Sequence, residues 1–244
     1  MKTELVISAS SDQADIALLE DGRLQELIKE KGDDSFSVGD VYLGTVKKLA
    51  TSLNAAFVDV GYEKDAFLHY NDLGPQIKSW QTYLRRTLKG KQLSNITNFK
   101  AEPNIEKDGN IGDVLKQGNQ ILVQITKEPI STKGPRITAE LSIAGRFVVL
   151  VPFSNRVSVS QKIREREEKD RLKKLVRSIK PKGFGVIIRT VAKGQSAEEL
   201  QADLDNLVRK WSQLHKGIKR SNKPLRIFRE MNRASAFLRD VFNE

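Results

Sequence analysis

The sequence of 244 residues contains no cysteine, only two histidines and no long apolar segment. Without cysteine the chain can form neither a disulfide nor a thiolate metal site, which fits a reducing cytoplasm. No stretch approaches the ~20 apolar residues of a membrane-spanning helix. The opening MKTELVISAS lacks the apolar core of a signal peptide. No HExxH, phosphate-binding loop or nucleophile–base pattern occurs. We therefore expect a cytoplasmic protein with no membrane partner and no catalytic motif of these kinds.

Basic residues are in excess, since 42 Lys and Arg face 31 Asp and Glu and leave a net charge of +11. Two tracts, 75–100 and 207–229, contain no acidic residue at all. The first carries Lys78, Arg85, Arg86, Lys89, Lys91 and Lys100. Such tracts are either solvated basic faces or docking surfaces for a polyanion, because counterion release favours binding to phosphate backbones. Nucleic acid is the first partner that this charge indicates.

Residues 41–69 carry the most informative pattern, since alternating apolar positions predict three short strands. Gly44 lies inside the first strand and Gly61 ends the second, which suits a tightly coiled barrel. Phe57 and Phe67 fall on neighbouring strands, where they form either part of the core or an aromatic platform for stacked bases.

Further strands are predicted before and after this stretch. Residues 3–9 and 13–20 read as strands joined by an Asp21-Gly22 turn, and RLQELIKE is a third strand or a short helix. Three such strands bury no core alone, so we expect later residues to pack on them. After an insertion with a helix around 77–88, the barrel resumes in NQILVQITK and in residues 134–140.

In the second half of the sequence, apolar residues predict strands at 142–152 and 183–190, and the latter ends in Arg189-Thr190. A guanidinium fork beside a hydroxyl suits a terminal phosphate. Helices are predicted at 160–180, after a Ser196/Glu199 capping box, and within SNKPLRIFREMNRASAFLRDVFNE. In the second of these helices Trp211 belongs to the core, and His215 is expected on the surface.

Two sets of tracts carry a family resemblance. GDVYLGTVKKL and SLNAAFVDVG-x(4)-AFL resemble the S1-type OB domain of the bacterial ribonuclease E/G family. SIAGRFVVLVP followed by GFGVIIRT-x(3)-G-x-S is similar to its 5′-sensor. The resemblance implies an α+β, multidomain fold in which an S1-type OB barrel adjoins an incomplete RNase H-like sheet and an α+β 5′-sensor subdomain. The implied parts are RNase H-like strands at 1–38, the barrel at 39–141 with insertion 70–118, the sensor at 142–222, and the start of an RNase H-like helix at 223–244.

The resemblance also implies site residues. Phe57, Phe67 and Lys133 would contact RNA, and Arg189 and Thr190 would bind a 5′-monophosphate. Gly145 and Val149 would contact the terminal base, although on pattern alone Gly145 is equally a bend between strands and Val149 a core residue.

We therefore expect the RNA-binding and 5′-monophosphate-sensing part of a single-strand endoribonuclease of RNA processing and decay. The chain shows no metal site and no equivalent of the family's catalytic aspartates, so we expect it to bind RNA without cutting it. The complete family member would use Mg²⁺ and could oligomerise through its C-terminal half. Two alternatives stay open: a freestanding RNA-binding protein of ribosome assembly or regulation, and a scaffold whose basic tracts dock an acidic partner.

Overall fold

The computed structural model describes residues 2–10, 13–31, 36–221 and 224–230. The chain opens with an antiparallel sheet of three strands, β1 (Thr3–Ala9), β2 (Gln13–Glu20) and β3 (Arg23–Lys31). Asp21 and Gly22 have φ of 48° and 76°, the left-handed pair that a two-residue hairpin requires. Both predicted strands and their turn are confirmed, and RLQELIKE is a strand.

The opening sheet leaves large apolar side chains exposed. They are Val6, Ile7, Leu24 and Leu27, each between 46% and 58% exposed. Three strands bury too little apolar area to be stable by themselves. That later residues cover this sheet stays a prediction, since residues 231–244 lie outside the described ones.

A closed barrel of five strands follows. Its strands are β4 (Val41–Ala50), β5 (Ala55–Asp59), β6 (Ala66–His69), β7 (Gln120–Lys127) and β8 (Arg136–Thr138). They pair in the order β4-β5-β6-β8-β7, and β4 and β7 close the ring. This is the OB-type order that the sequence predicts. A Cβ at Gly44 would lie 2.6 Å from a Val58 methyl, so glycine allows β4 and β5 to coil closely.

The insertion between β6 and β7 contains a helix that joins two cores. This helix, α1, spans Ile77–Leu88 as predicted, and the short α2 (Ile111–Val114) follows. Ile77 packs in the barrel core, whereas Trp80 and Tyr83 pack in a second core. The barrel core and the second core are thus joined through α1.

That second core lies between helices and a four-stranded sheet. The strands are β9 (Ile143–Ala144), β10 (Val148–Pro152), β11 (Val157–Val159) and β12 (Phe184–Ile188), in the order β11-β12-β10-β9. The helices are α3 (Arg166–Ile179) and α4 (Ala197–Lys219). The predicted Ser196/Glu199 capping box opens α4, and Trp211 is only 2% exposed, so both predictions are confirmed. Within the described residues, no helix is both long and apolar enough to cross a membrane.

His215 is buried, and its predicted surface position is wrong. Its ring is 5% exposed, and its Nδ1 lies 2.7 Å from the hydroxyl oxygen of Tyr83. The helix carrying His215 packs against α1, so an element more than a hundred residues away supplies the partner. His69, which the sequence shows without a partner, accepts a hydrogen bond from the backbone N–H of Asn71 at the start of a 3₁₀ turn.

The prediction of a helix from residue 223 is wrong for residues 225–228. Leu225–Phe228 form a strand, β13, that pairs antiparallel with β4. Arg226 lies 3.4 Å from the Asp40 carboxylate, which also accepts the N–H of Glu230. The first residues of β4 extend past β5, and pairing with this uncovered edge satisfies the backbone groups of β13, so a tertiary contact overrides the local helical periodicity. Residues 231–244 of the predicted helix lie outside the described residues.

Candidate nucleic-acid interface

Two phenylalanine rings meet on the outer surface of the barrel. Phe57 on β5 and Phe67 on β6 are directly opposite in the strand register, and their ring centroids are 5.9 Å apart at 68°. Their neighbours along each strand point into the barrel core, so the period of two places both rings outside. Both rings are half-buried. They therefore do not belong to the barrel core.

The rings form the floor of a groove of about 550 Å³. Its far wall is the loop between β7 and β8, which carries the exposed Lys133. Two backbone hydrogen bonds between Ile130 and Lys133 hold this loop in a tight turn. A Cβ at Gly134 would overlap the carbonyl of Asp65, so only glycine lets the loop pass this close to β6. The structure thus brings Phe57, Phe67 and Lys133 into one groove, and we call it the aromatic groove.

The aromatic groove is more basic than acidic. Four cationic side chains and two acidic ones line it, and the cations are Lys64, Lys127, Lys133 and Arg136. Arg136 donates to the Asp72 carboxylate at 2.9 Å, which fixes the guanidinium at the rim. Pattern reasoning did not single out Lys64 or Arg136, because isolated surface cations carry no signal until the barrel closes.

The predicted phosphate site lies at the end of β12. Arg189 is half-buried and Thr190 is exposed. Nη1 of Arg189 donates to the carbonyl oxygen of Gly145 at 2.8 Å and lies 3.3 Å from that of Arg146. The Thr190 hydroxyl lies 3.0 Å from the hydroxyl of Ser160. The guanidinium oriented by carbonyls and the two hydroxyls, all at the same end of β12, are donors of the kind that bind phosphate oxygens.

A carboxylate on α4 shapes the loop that holds Arg189. Asp203 accepts the backbone N–H groups of Arg146, Phe147 and Val148 at 3.1, 2.8 and 3.1 Å. A Cβ at Gly145 would lie 2.5 Å from an Asp203 oxygen, so glycine is required for this close approach. Sequence reasoning missed Asp203 because an acid on an amphipathic helix looks like a solvated residue.

Val149 lies in the middle of β10, opposite Ala144 on one side and Ile187 on the other. It is half-buried, and Ile187 is 43% exposed. Residues directly opposite share one face of a sheet, so Val149 and Ile187 form an apolar surface away from the core. Arg189 therefore contacts Gly145, Thr190 follows Arg189 in the chain, and Val149 lies on the same small sheet. The aromatic groove lies on the barrel.

The described carboxylates do not fit the magnesium that the family resemblance implies for a complete enzyme. Within residues 2–10, 13–31, 36–221 and 224–230, no group of three or more His, Cys, Asp or Glu side chains could hold a metal ion. Asp59 pairs with Lys47 at 3.2 Å, and Asp72 pairs with Arg136. We derive no reaction step from these residues.

Comparison with known proteins gives one consistent result. The sequence model described as the ribonuclease E/G family matches residues 142–244. Ribonuclease E of Synechocystis sp. is 33% identical over the whole chain, and ribonuclease G of Escherichia coli K12 is 32% identical over 98% of it. A ribonuclease E/G-like protein of Pyropia yezoensis is 33% identical over the whole chain. The chain spans 32%, 45% and 42% of these relatives, which is less than half of each.

Proposed function

Because this chain belongs to the ribonuclease E/G family, we propose that it is the RNA-recognising part of a single-strand endoribonuclease of RNA processing and decay. In this proposal the barrel binds the strand, and the Arg189 site recognises a 5′-monophosphate. The observation that carries the proposal is the convergence of Phe57, Phe67 and Lys133 in one groove of an OB-type barrel.

The aromatic groove suits unpaired nucleotides. Half-buried rings on the barrel surface offer faces on which bases stack, and such stacking contributes about 1–3 kcal/mol per base in single-strand-binding proteins. Lys133 and Lys64 lie at the rim of the same groove and are exposed, so they can follow a phosphate backbone. A duplex keeps its bases stacked on each other, so we expect the groove to prefer single strands.

The Arg189 site suits a terminal phosphate rather than a continuous backbone. The carbonyl oxygens of Gly145 and Arg146 orient the guanidinium on the β10 side of β12, and the Thr190 and Ser160 hydroxyls lie together on its β11 side. A monophosphate end carries more charge than an internal phosphodiester and offers more oxygens to such donors. The half-exposed Val149 and Ile187 supply an apolar surface for a terminal base.

The test compares RNAs that are identical except for a 5′-monophosphate or a 5′-hydroxyl. We expect Arg189→Ala to weaken binding of the monophosphate RNA by about 1.5–3 kcal/mol, the contribution of a hydrogen bond to a charged group. Binding of the hydroxyl RNA should hardly change. Arg177→Ala, an exposed arginine on α3, is the matched control. Equal losses on both RNAs would show that Arg189 supplies only general electrostatic attraction.

A second pair of variants tests the aromatic groove. We expect the double variant Phe57→Leu and Phe67→Leu to lose about 1–3 kcal/mol for each base that stacks, on both RNAs alike, because leucine keeps apolar bulk without a ring face. Leu53→Ala removes an apolar side chain that is 57% exposed on the barrel and serves as the control. Unchanged RNA affinity in the double variant would refute the role of the rings.

A further inference from the structure

A second groove lies along α1 beside the second core, to which its lining residue Leu84 belongs. It has a volume of about 520 Å³ and runs between α1 and residues 114–120, which lead into β7. Three cationic side chains line it: Arg85 and Lys89 at the end of α1, and Lys116 across from them. All three are exposed, and no acidic side chain lines the groove in the described part of the chain. Its electrostatic character is therefore uniformly basic.

Hydrogen bonds between its walls give this groove a defined shape. The amide of Gln81 on α1 donates to the carbonyl of Val114 at 3.2 Å, so it joins the two walls. The Asn119 side chain accepts the backbone N–H of Lys116 at 2.9 Å and fixes the turn on which that lysine lies. Leu84, Leu88 and Val114 form an apolar floor beneath them. An apolar floor with cations above it suits a planar base joined to a phosphate.

The charge of this groove is more than helix stability requires. Cations in the last turn of a helix are favourable because they face the negative end of its dipole. Arg85 and Lys89, however, stand four positions apart, and like charges at that spacing repel each other. Lys116 adds a third positive charge from another segment. A polyanion in the groove would offset this repulsion.

The strand register of the barrel places this second groove near the aromatic groove. Gln120 at its edge is opposite Thr45 on β4, which is opposite Asp59 on β5. These residues share the outer face with Phe57, two positions along from Asp59. With strands about 4.8 Å apart and a rise of about 3.4 Å per residue, Phe57 lies roughly 12 Å from Gln120 along the surface. The exposed Lys47 and Lys48 lie between the two grooves, and Lys48 is opposite Phe57.

We propose that the groove of Arg85, Lys89 and Lys116 is a second binding subsite for the sugar–phosphate backbone of the same single-stranded RNA. This inference rests on the proposed function, since the aromatic groove must hold the first nucleotides. In this proposal the RNA crosses β5 and β4 past Lys48 and Lys47 and enters the groove beside Gln120. The subsite lengthens the bound segment and contributes affinity without base specificity, because its contacts are with phosphates.

The experiment measures RNA affinity as a function of length and salt. The variant carries Arg85→Gln, Lys89→Gln and Lys116→Gln. Its control carries Lys174→Gln, Arg177→Gln and Lys216→Gln, which remove the same charge from exposed positions on α3 and α4. Arg177, like Arg85, lies in the last turn of its helix, so any loss from the helix dipole is matched. Each protein is titrated with unstructured RNAs of about 4 and about 16 nucleotides, the range that single OB folds cover.

We expect the groove variant to bind the long RNA roughly 10- to 100-fold more weakly at 0.1 M salt and to bind the short RNA as the unchanged chain does. Three lost phosphate contacts should also reduce the slope of log affinity against log salt by about 2, at about 0.7 per contact. The control should keep the slope of the unchanged chain. Thermal unfolding of each variant checks that the fold is intact.

Four other results would overturn the inference, and they are distinguishable. If the groove variant and the control lose affinity equally, the groove is only part of a diffuse field. Polyglutamate could also compete with the bound RNA as strongly as an RNA of equal charge, and lose this effect in the groove variant. That result would show that the groove docks an acidic protein. If the unchanged chain binds neither RNA, the proposed function fails with it. If the unsubstituted chain binds the short RNA and binds the long RNA no more tightly, the second subsite is rejected while the proposed function stands.

Discussion

Replacing Asp203 by alanine should damage the Arg189 site from a distance. The Asp203 carboxylate accepts three backbone N–H groups from residues 146–148, and two of these hydrogen bonds, to Phe147 and Val148, are partly buried. Hydrogen bonds to a charged group contribute about 1.5–3 kcal/mol each, and buried donors left unpaired cost a similar amount. Water can replace the bond to the exposed Arg146. We therefore expect Asp203→Ala to lower the free energy of unfolding by about 3–6 kcal/mol.

The same change should weaken the proposed preference for a 5′-monophosphate. The carbonyl oxygens that orient Arg189 belong to Gly145 and Arg146, and this loop is the one that Asp203 holds in place. If the loop relaxes, the guanidinium loses its fixed direction but keeps its charge. We expect Asp203→Ala to reduce the affinity ratio of monophosphate to hydroxyl RNA by about tenfold, the equivalent of one hydrogen bond.

Urea unfolding and paired RNA titrations measure the two effects separately. Asp205→Ala is the control. Asp205 is exposed on α4, and its one described hydrogen bond is with a side chain one helical turn away. Its loss should therefore change the free energy of unfolding by no more than about 0.5 kcal/mol. Equal unfolding midpoints for the two variants would refute the stabilising role. A destabilised Asp203→Ala that still prefers the monophosphate would refute the positioning role.

Burial lowers the pKa of His215 below its ordinary value of 6.5, so the unfolded chain takes up the proton first. Stability present above pH 6.5 should fall as the pH drops through that value, and His215→Gln should flatten this dependence in urea melts across pH 5–8. Trp211→Ala should cost about 3–5 kcal/mol in the same assay, because the ring packs among other aromatic side chains, whereas Trp211→Phe should cost less. Gly44→Ala should cost about 1–3 kcal/mol through overlap with Val58, and an effect below 0.5 kcal/mol would show that the strands separate easily.

Local patterns predicted much of the fold because they depend on neighbours in sequence. The bounds of α1, the capping box of α4 and the opposed positions of Phe57 and Phe67 follow from helical period, side-chain capping and strand alternation. Each of these signals is complete within about a dozen residues. The prediction of a buried Trp211 rests on the same logic.

The remaining features depend on partners that local patterns do not identify. His215 is buried because α1 brings Tyr83 to it, and Leu225–Phe228 are extended because β4 has an edge to pair with. At the proposed phosphate site, the sequence pointed to Arg189, whose role stays a prediction, but not to the carbonyl oxygens that its guanidinium contacts or to the Asp203 carboxylate that holds their loop. Such contacts join segments more than 40 residues apart, and only the assembled fold reveals them.

The pairing of β13 with β4 has a consequence for how the chain folds as it is made. The register joins Leu43 to Leu225, so β4 is complete only about 180 residues after it leaves the ribosome. At about 5–20 residues per second this interval lasts roughly 9 to 36 seconds. During that time the nascent barrel presents unpaired N–H and C=O groups along the first three residues of β4. A chaperone that shields strand edges should therefore raise the yield of the folded chain more than one that shields apolar helices.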